Sequence, residues 1–199
     1  MGHVIGYRAG ATSAAGALQP IHFARLDWEV IVDSTWKTSV WQQYGAAIDM
    51  LEDAIVLCPD HLWSIALWKD RDDVRYGQFW FVAYHTLFWL DLFLTGSEEG
   101  FTPPHPFIRG VLPEQPYAKG QVLSYLGVCR SRCQSTIEGL TEAKADQRCV
   151  FAWMEPSFLE LQLYSMRHVQ EHASQLSLAL GQQEVIGFDW VARARDKDA

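Results

Sequence analysis

The sequence predicts an all-α protein whose core is a four-helix bundle. Apolar and small residues recur in steps of three and four along three segments, and a further segment is apolar almost all round. Both patterns are typical of packed helices. No alternating apolar and polar run and no Asn-Gly hairpin signal competes with these segments.

The first helix is predicted to begin at Asp33 or Ser34, since aspartate and serine are favoured N-cap residues. Pro59 ends it, because proline lacks the backbone N–H that a continuing helix needs. Between these limits the apolar face comprises Val40, Tyr44, Ala47, Leu51, Ala54 and Cys58. The preceding residues 1–33 are expected to form a partly ordered arm, in which residues 21–32 fit either a helix or a strand.

The second helix is predicted from Tyr76 to Leu94 and should be buried, because its residues are apolar almost all round. Thr95 and Gly96 form a natural helical stop. Five prolines then exclude a regular helix, namely Pro103, Pro104, Pro106, Pro113 and Pro116. This linker is long enough to cross the bundle from end to end, so it permits a crossover without demanding one.

The third and fourth helices follow this linker. The third carries an apolar stripe formed by Val122, Leu126, Cys129, Cys133, Ile137 and Leu140. The fourth begins at Ser157, which forms a capping-box pattern with Glu160, and should end at Leu180 before a glycine. The chain therefore divides into an arm at 1–33, a bundle at 34–183 and a tail at 184–199.

Composition excludes several function classes. The chain has 199 residues, is 49% hydrophobic and 20% charged, and suits one compact domain. A net charge of -8 without a basic run argues against a nucleic-acid partner. The longest apolar-rich segment, residues 79–94, is interrupted by His85 and Asp91, so no membrane span is expected. The four cysteines show no C-x-x-C spacing, which fits a cytoplasmic protein.

The histidines carry the chemical signal. His168 and His172 are four residues apart and share the inward face of the fourth helix. Two imidazoles at this spacing reach one metal ion, and His85 lies at a matching depth in the second helix. Spacing alone leaves open the alternative that all three are core histidines bonded to carbonyls or hydroxyls.

The fourth helix resembles the last helix of DinB-family proteins, which carry H-x-x-x-H followed by a Gln-Leu or Gln-Ile pair, here Gln175-Leu176. The segment FWFVAYHTLFWLDLFL is similar to that family's second helix, with its metal-binding histidine at the position of His85. The resemblance covers about residues 34–183. Residues 1–33 have no counterpart, and helices one and three match by pattern only.

The resemblance implies a DinB-type bundle with a long crossover between helices two and three, a homodimer, and one divalent metal ion (zinc, nickel or iron). It implies that the ligands are His85, His168 and His172. Three neutral imidazoles leave an open coordination position for a water or a low-molecular-weight thiol.

Characterised relatives use bacillithiol, mycothiol or glutathione, so the resemblance implies a metal-dependent thiol S-transferase or hydrolase acting on a small electrophile. Candidates for polar roles near the metal are Tyr84, Asp91, Arg167 and Glu171. The alternative is a non-catalytic metal- or ligand-binding stress-response bundle.

Two rival motifs are weaker. His168 to His172 also reads H-x-x-E-H, the inverzincin signature, but the glutamate that would complete such a zinc site is missing downstream, where Glu184 stands alone. Cys129 and Cys133 are four apart, yet both lie on an apolar stripe, where buried cysteine usually packs as a small hydrophobe. The remaining histidines fall in predicted loops or edges and should be exposed: His3, His22, His61 and His105.

Overall fold

The computed structural model describes residues 25–196, with side chains described from residue 35 onwards. Five helices form within this part of the chain, and no strand does. The helices are α1 (Arg25–Leu57), α2 (Phe79–Thr95), α3 (Lys119–Glu138), the short α4 (Glu142–Ala145) and α5 (Phe158–Gln182). The predicted all-α class is therefore confirmed.

The predicted start of the first helix is wrong. Helix α1 begins at Arg25, about two turns before Asp33 and Ser34, and runs through both. Aspartate and serine are favoured at N-caps but are also tolerated inside a helix, so neither marks a boundary by itself. Residues 1–24, which make up most of the predicted arm, lie outside the described residues.

Two further predicted boundaries are wrong: α2 begins at Phe79 rather than Tyr76, and α5 runs through Gly181 to Gln182 rather than ending at Leu180. The start of α5 and the stop after α2 follow the sequence signals. Ser157 caps α5 by accepting a hydrogen bond from the backbone N–H of Glu160 at 3.2 Å. Gly96 follows α2 in the left-handed conformation, with φ of 79°, which glycine adopts without steric cost. Two short 3-10 turns, Asp60–Leu62 and Val74–Gly77, lie between α1 and α2.

Four long helices pack as a bundle in which α1 and α2 each contact both α3 and α5. Contacts along the interfaces fix the directions. Trp80 at the start of α2 contacts Tyr117, which lies just before α3. Further along both helices, Asp91 of α2 accepts a hydrogen bond from Tyr125 of α3. The two helices therefore run parallel. Helices α2 and α5 run antiparallel, since Gln162 near the start of α5 donates to the carbonyl oxygen of Phe93 near the end of α2.

The core is apolar and rich in aromatic residues. The largest side chains that are fully buried include Trp80, Tyr44, Tyr125, Phe79 and Phe158. Cys129 and Cys133 are buried in the same core, in accordance with the sequence interpretation. None of the helices in the described part of the chain is long and apolar enough to cross a membrane.

The segment after α5 packs back onto α1. The N–H of Ala194 donates to the carbonyl oxygen of Gln42 at 2.9 Å, and the N–H of Arg195 donates to Asp49 at 2.7 Å. Gly45 allows this approach, because a Cβ at that position would lie 2.5 Å from the Cβ of Ala194. The described part of the predicted tail is therefore attached to the bundle.

Candidate metal centre

Three histidine side chains converge where α2 faces α5. His85 comes from α2, while His168 and His172 lie one turn apart on α5. The Nε2 atom of His168 lies 3.3 Å from Nε2 of His85 and 3.0 Å from Nε2 of His172. We call these three residues the histidine cluster. Within the described residues it is the only group of three His, Cys, Asp or Glu side chains close enough to share a metal ion.

Burial keeps two histidines of the cluster, His85 and His168, uncharged. Desolvation, with a smaller contribution from nearby His172, lowers the pKa of His85 to about 4. Desolvation likewise lowers the pKa of His168 to about 3, with smaller contributions from His172 and His85. Neutral imidazoles have a free lone pair on one nitrogen, which is the form that binds metals.

Gln175 fixes the orientation of one ring. Its side-chain NH₂ donates to the carboxylate of Glu171 at 3.4 Å, so its carbonyl oxygen faces His172. That oxygen lies 2.8 Å from Nδ1 of His172 and can only accept a hydrogen bond. His172 therefore carries its proton on Nδ1 and turns the lone pair of Nε2 towards the other two histidines. A partner of this kind is typical of metal-binding histidines.

The polar atoms of the cluster are incompletely satisfied by the protein itself. His168 Nδ1 is buried without a hydrogen-bond partner. The Nε2 atoms of all three residues lie close together. An N–H group on one of them can donate a hydrogen bond to only one of the other two. A divalent cation would accept a lone pair from each nitrogen at once. The three imidazole nitrogens are thus compatible with binding of a metal ion.

Two aromatic pockets adjoin the cluster. One pocket of about 300 Å³ is lined by His85, Trp89, Phe93, Trp153, Tyr164 and His168. The other, of about 170 Å³, is lined by Tyr76, Phe81, Tyr84, His85, Phe88, Trp89, Gly110, Val111 and Leu112. His85 and Trp89 line both pockets, so each of the two apolar pockets borders the histidine cluster.

The four residues that the sequence suggested for polar roles near the metal lie in different parts of the structure. Tyr84 lines the smaller pocket, where burial raises its pKa and keeps the phenol protonated. Asp91 faces α3 instead, where it accepts from Tyr125 at 2.9 Å and pairs with Arg132. Arg167 and Glu171 line a separate groove between α1 and α5. Only Tyr84 therefore has direct access to a pocket beside the cluster.

Sequence reasoning missed several residues of the site. Gln175 lies three positions after His172, and this helical spacing could have indicated their contact. Trp153 comes from the loop between α4 and α5, where no periodic pattern exists. Among the other histidines, His61 and His105 are exposed as predicted, while His3 and His22 lie outside the described residues. Glu184 is exposed just after α5 and adds no ligand.

A comparison with known families matches residues 68–176 to the DinB superfamily, which is more than half of the chain. The chain belongs to the DinB superfamily. The matched region of this DinB protein contains all of the histidine cluster together with Gln175. No curated protein and no solved structure matches the chain.

Membership confirms the resemblance predicted from the second and fourth helices. DinB proteins are metal-binding in general, and this chain has the three close histidines that such a role requires. The match begins at residue 68, so α1 lies outside it.

Proposed function

We propose that this DinB protein is a metal-dependent enzyme that acts on a small electrophile, as a thiol S-transferase or a hydrolase. His85, His168 and His172 would hold one divalent ion, for which zinc, nickel or iron suits an imidazole set. One observation carries the proposal: the cluster is partly buried, yet two of its three rings form the wall of a pocket. A small molecule in that pocket would lie against the cluster.

His85, His168 and His172 would hold the ion, which when bound would supply Lewis-acid chemistry for a water or a thiol. The chain's own residues do the rest. Gln175 orients His172, and the aromatic walls place an apolar surface beside the cluster, which strengthens electrostatic interactions there. Tyr84 keeps a proton on its phenol and can donate a hydrogen bond from the wall of the smaller pocket.

A thiol reagent would have to come from solution. All four cysteines are free and buried, and none lines either pocket. Burial raises the pKa of Cys58 to about 11 and raises that of Cys133 as well, so these thiols stay protonated and unreactive. A low-molecular-weight thiol therefore fits the S-transferase reaction better than a cysteine of the protein.

The second candidate is a non-catalytic bundle whose ion ties α2 to α5. This role is supported by the ligand distribution, since one histidine lies on α2 and two lie on α5. A non-catalytic role predicts a closed metal site without an adjoining cavity. The two pockets beside His85 therefore favour the enzyme. The homodimer implied by the resemblance stays a prediction, which light scattering on the purified protein would check.

Two reactions test the enzyme proposal on zinc-, nickel- and iron-loaded protein. One is hydrolysis of p-nitrophenyl acetate, and the other is displacement of chloride from 1-chloro-2,4-dinitrobenzene by bacillithiol, mycothiol or glutathione. We expect one reaction to exceed its background rate and to be lost in His168→Ala/His172→Ala. The matched control is His61→Ala/His105→Ala, which removes two exposed histidines and should keep the activity. Equal rates in both variants would contradict the proposal.

A further inference from the structure

We propose that the substrate of this site is an uncharged aromatic molecule of one or two rings, bound beside the histidine cluster against the aromatic wall that includes Trp89 and Trp153. The inference rests on the proposed function and names its substrate class. It is carried by the charge, shape and size of the larger pocket.

The pocket walls exclude charged substrates. The side chains that line the two pockets include no Asp, Glu, Lys or Arg. A carboxylate or ammonium group that left water in the part of the pocket away from the cluster would find no opposite charge among these side chains, and burying an unpaired charge is costly. A cation held by the aromatic rings alone would also be repelled by the divalent ion that the cluster is proposed to hold. An uncharged molecule meets neither penalty.

The arrangement of the walls favours a flat ring. The rings of Trp89 and Trp153 have centroids 5.5 Å apart and are inclined at 85°. Phe93 packs on Trp89 at 5.3 Å and is met edge-on by Tyr164 at 5.6 Å. Aromatic side chains bind other aromatic rings by stacking or edge contacts of this kind.

Two of these aromatic residues are unusually exposed. Trp153 is 52% exposed and Tyr164 is 39% exposed, and both lie on the wall of the larger pocket. Large apolar side chains grouped at the surface commonly mark a binding site. A ligand ring bound here would cover both of them and would lie near His85 and His168, which line the same pocket.

The volume limits the size of the ligand. A cavity of about 150 Å³ is sufficient for benzene. The larger pocket of about 300 Å³ therefore accommodates one or two rings, and the smaller one of about 170 Å³ accommodates at most one. One polar atom of the ligand, such as a carbonyl, hydroxyl or thiol, would face the cluster.

Calorimetry with matched probes tests this inference through binding rather than activity. Zinc-loaded protein is titrated with benzohydroxamic acid, acetohydroxamic acid and 4-carboxybenzohydroxamic acid, which share one metal-binding group. We expect the phenyl compound to bind at least tenfold more tightly than the methyl compound, and the added carboxylate to remove most of that advantage. Trp153→Ala should reduce the advantage severalfold. Trp190→Ala, which removes a 75% exposed tryptophan outside both pockets, should leave it unchanged.

A second titration separates this inference from the proposed function. Protein treated with a chelator is titrated with 2-naphthol, which needs no metal ion. We expect binding that Trp153→Ala weakens and Trp190→Ala does not. If the protein holds no zinc but still binds 2-naphthol in this way, the proposed function fails and the ligand class stands. If zinc is held but the three hydroxamates bind equally, or if 2-naphthol does not bind, the ligand class is wrong.

Discussion

Two groups of polar side chains inside this bundle differ in whether the protein satisfies them. Between α1 and α3, Asp49 is 0% exposed and accepts hydrogen bonds from Arg130 Nε at 2.7 Å and from the N–H of Arg195 at 2.7 Å. Arg130 also donates to the carbonyl oxygen of Arg195. Between α2 and α5, the histidine cluster instead brings together three groups of the same kind, whose Nε2 atoms face one another.

The difference separates a region that the chain completes by itself from one that we propose binds a ligand. Opposite charges with their hydrogen bonds made need nothing from outside the chain, so the Asp49–Arg130 pair holds α1, α3 and the C-terminal segment together. The cluster gathers lone pairs that the protein does not use. Incomplete satisfaction in a partly buried site next to a pocket is the arrangement expected for ligand binding.

The largest expected effect concerns the region that the chain completes by itself. Asp49→Ala should lower the free energy of unfolding by about 3–5 kcal/mol, because it leaves the buried guanidinium of Arg130 without its partner. Urea unfolding measures this loss. The control is Asp53→Ala, whose carboxylate pairs with Arg195 at the partly exposed surface and should cost less than about 1 kcal/mol. Equal losses in the two variants would show that the pair has no special structural role.

The histidine cluster should contribute to stability only when it is occupied. At a zinc concentration one hundred times the dissociation constant, we expect zinc to raise the free energy of unfolding by about 2.7 kcal/mol. His168→Ala/His172→Ala should abolish this increase, and His61→Ala/His105→Ala should retain it. Thermal unfolding with and without zinc measures the effect, and an unchanged increase in the first double variant would assign the zinc to another site.

A smaller effect is expected at Gln175. Gln175→Ala should weaken zinc binding by about 10–100-fold, because it removes the acceptor that orients His172. Gln170→Ala is the matched control, since Gln170 also lies on α5 but contacts Met50 and Ser174 instead. Competition with a chromophoric zinc chelator measures both affinities. The orienting role is contradicted if the two variants bind zinc equally well.

The smallest effect concerns acid stability near the smaller pocket. Hydrogen bonds from Arg75 lower the pKa of Asp73 to about 2, and Arg75 also donates to the carbonyl oxygen of Pro113 at 2.8 Å. Because the folded-state pKa is below the unfolded value of about 3.9, the stabilisation is present above pH 4 and is lost towards pH 2. Urea unfolding at pH 5 and pH 3 should show a smaller acid loss in Asp73→Asn than in wild type. Asp72→Asn should behave as wild type.

The sequence predicted those features that depend on local periodicity. The helical class, the end of α2, the start of α5, and the common face of His168 and His172 follow from spacing and capping residues. The depth of His85 in its helix, together with the family resemblance, placed it with the other two, and their Nε2 atoms do meet.

The features that it did not predict arise from contacts between distant segments. Asp49 and Arg195 are separated by most of the chain, and no pattern links a charged residue in a helix to one in an irregular tail. Trp153 reaches the pocket because the loop between α4 and α5 folds against α2, which depends on tertiary packing. The start of α1 was missed since residues 21–32 fit two types of structure.

Metal content tests the central claim most directly. The protein is purified without chelators, incubated with zinc, dialysed, and analysed by plasma mass spectrometry. We predict one ion per chain in the wild type and in His61→Ala/His105→Ala, and less than about a tenth of that in His168→Ala/His172→Ala. A wild type that retains no metal, or a His168→Ala/His172→Ala variant that retains as much as the wild type, would contradict the assignment of the histidine cluster as a metal centre.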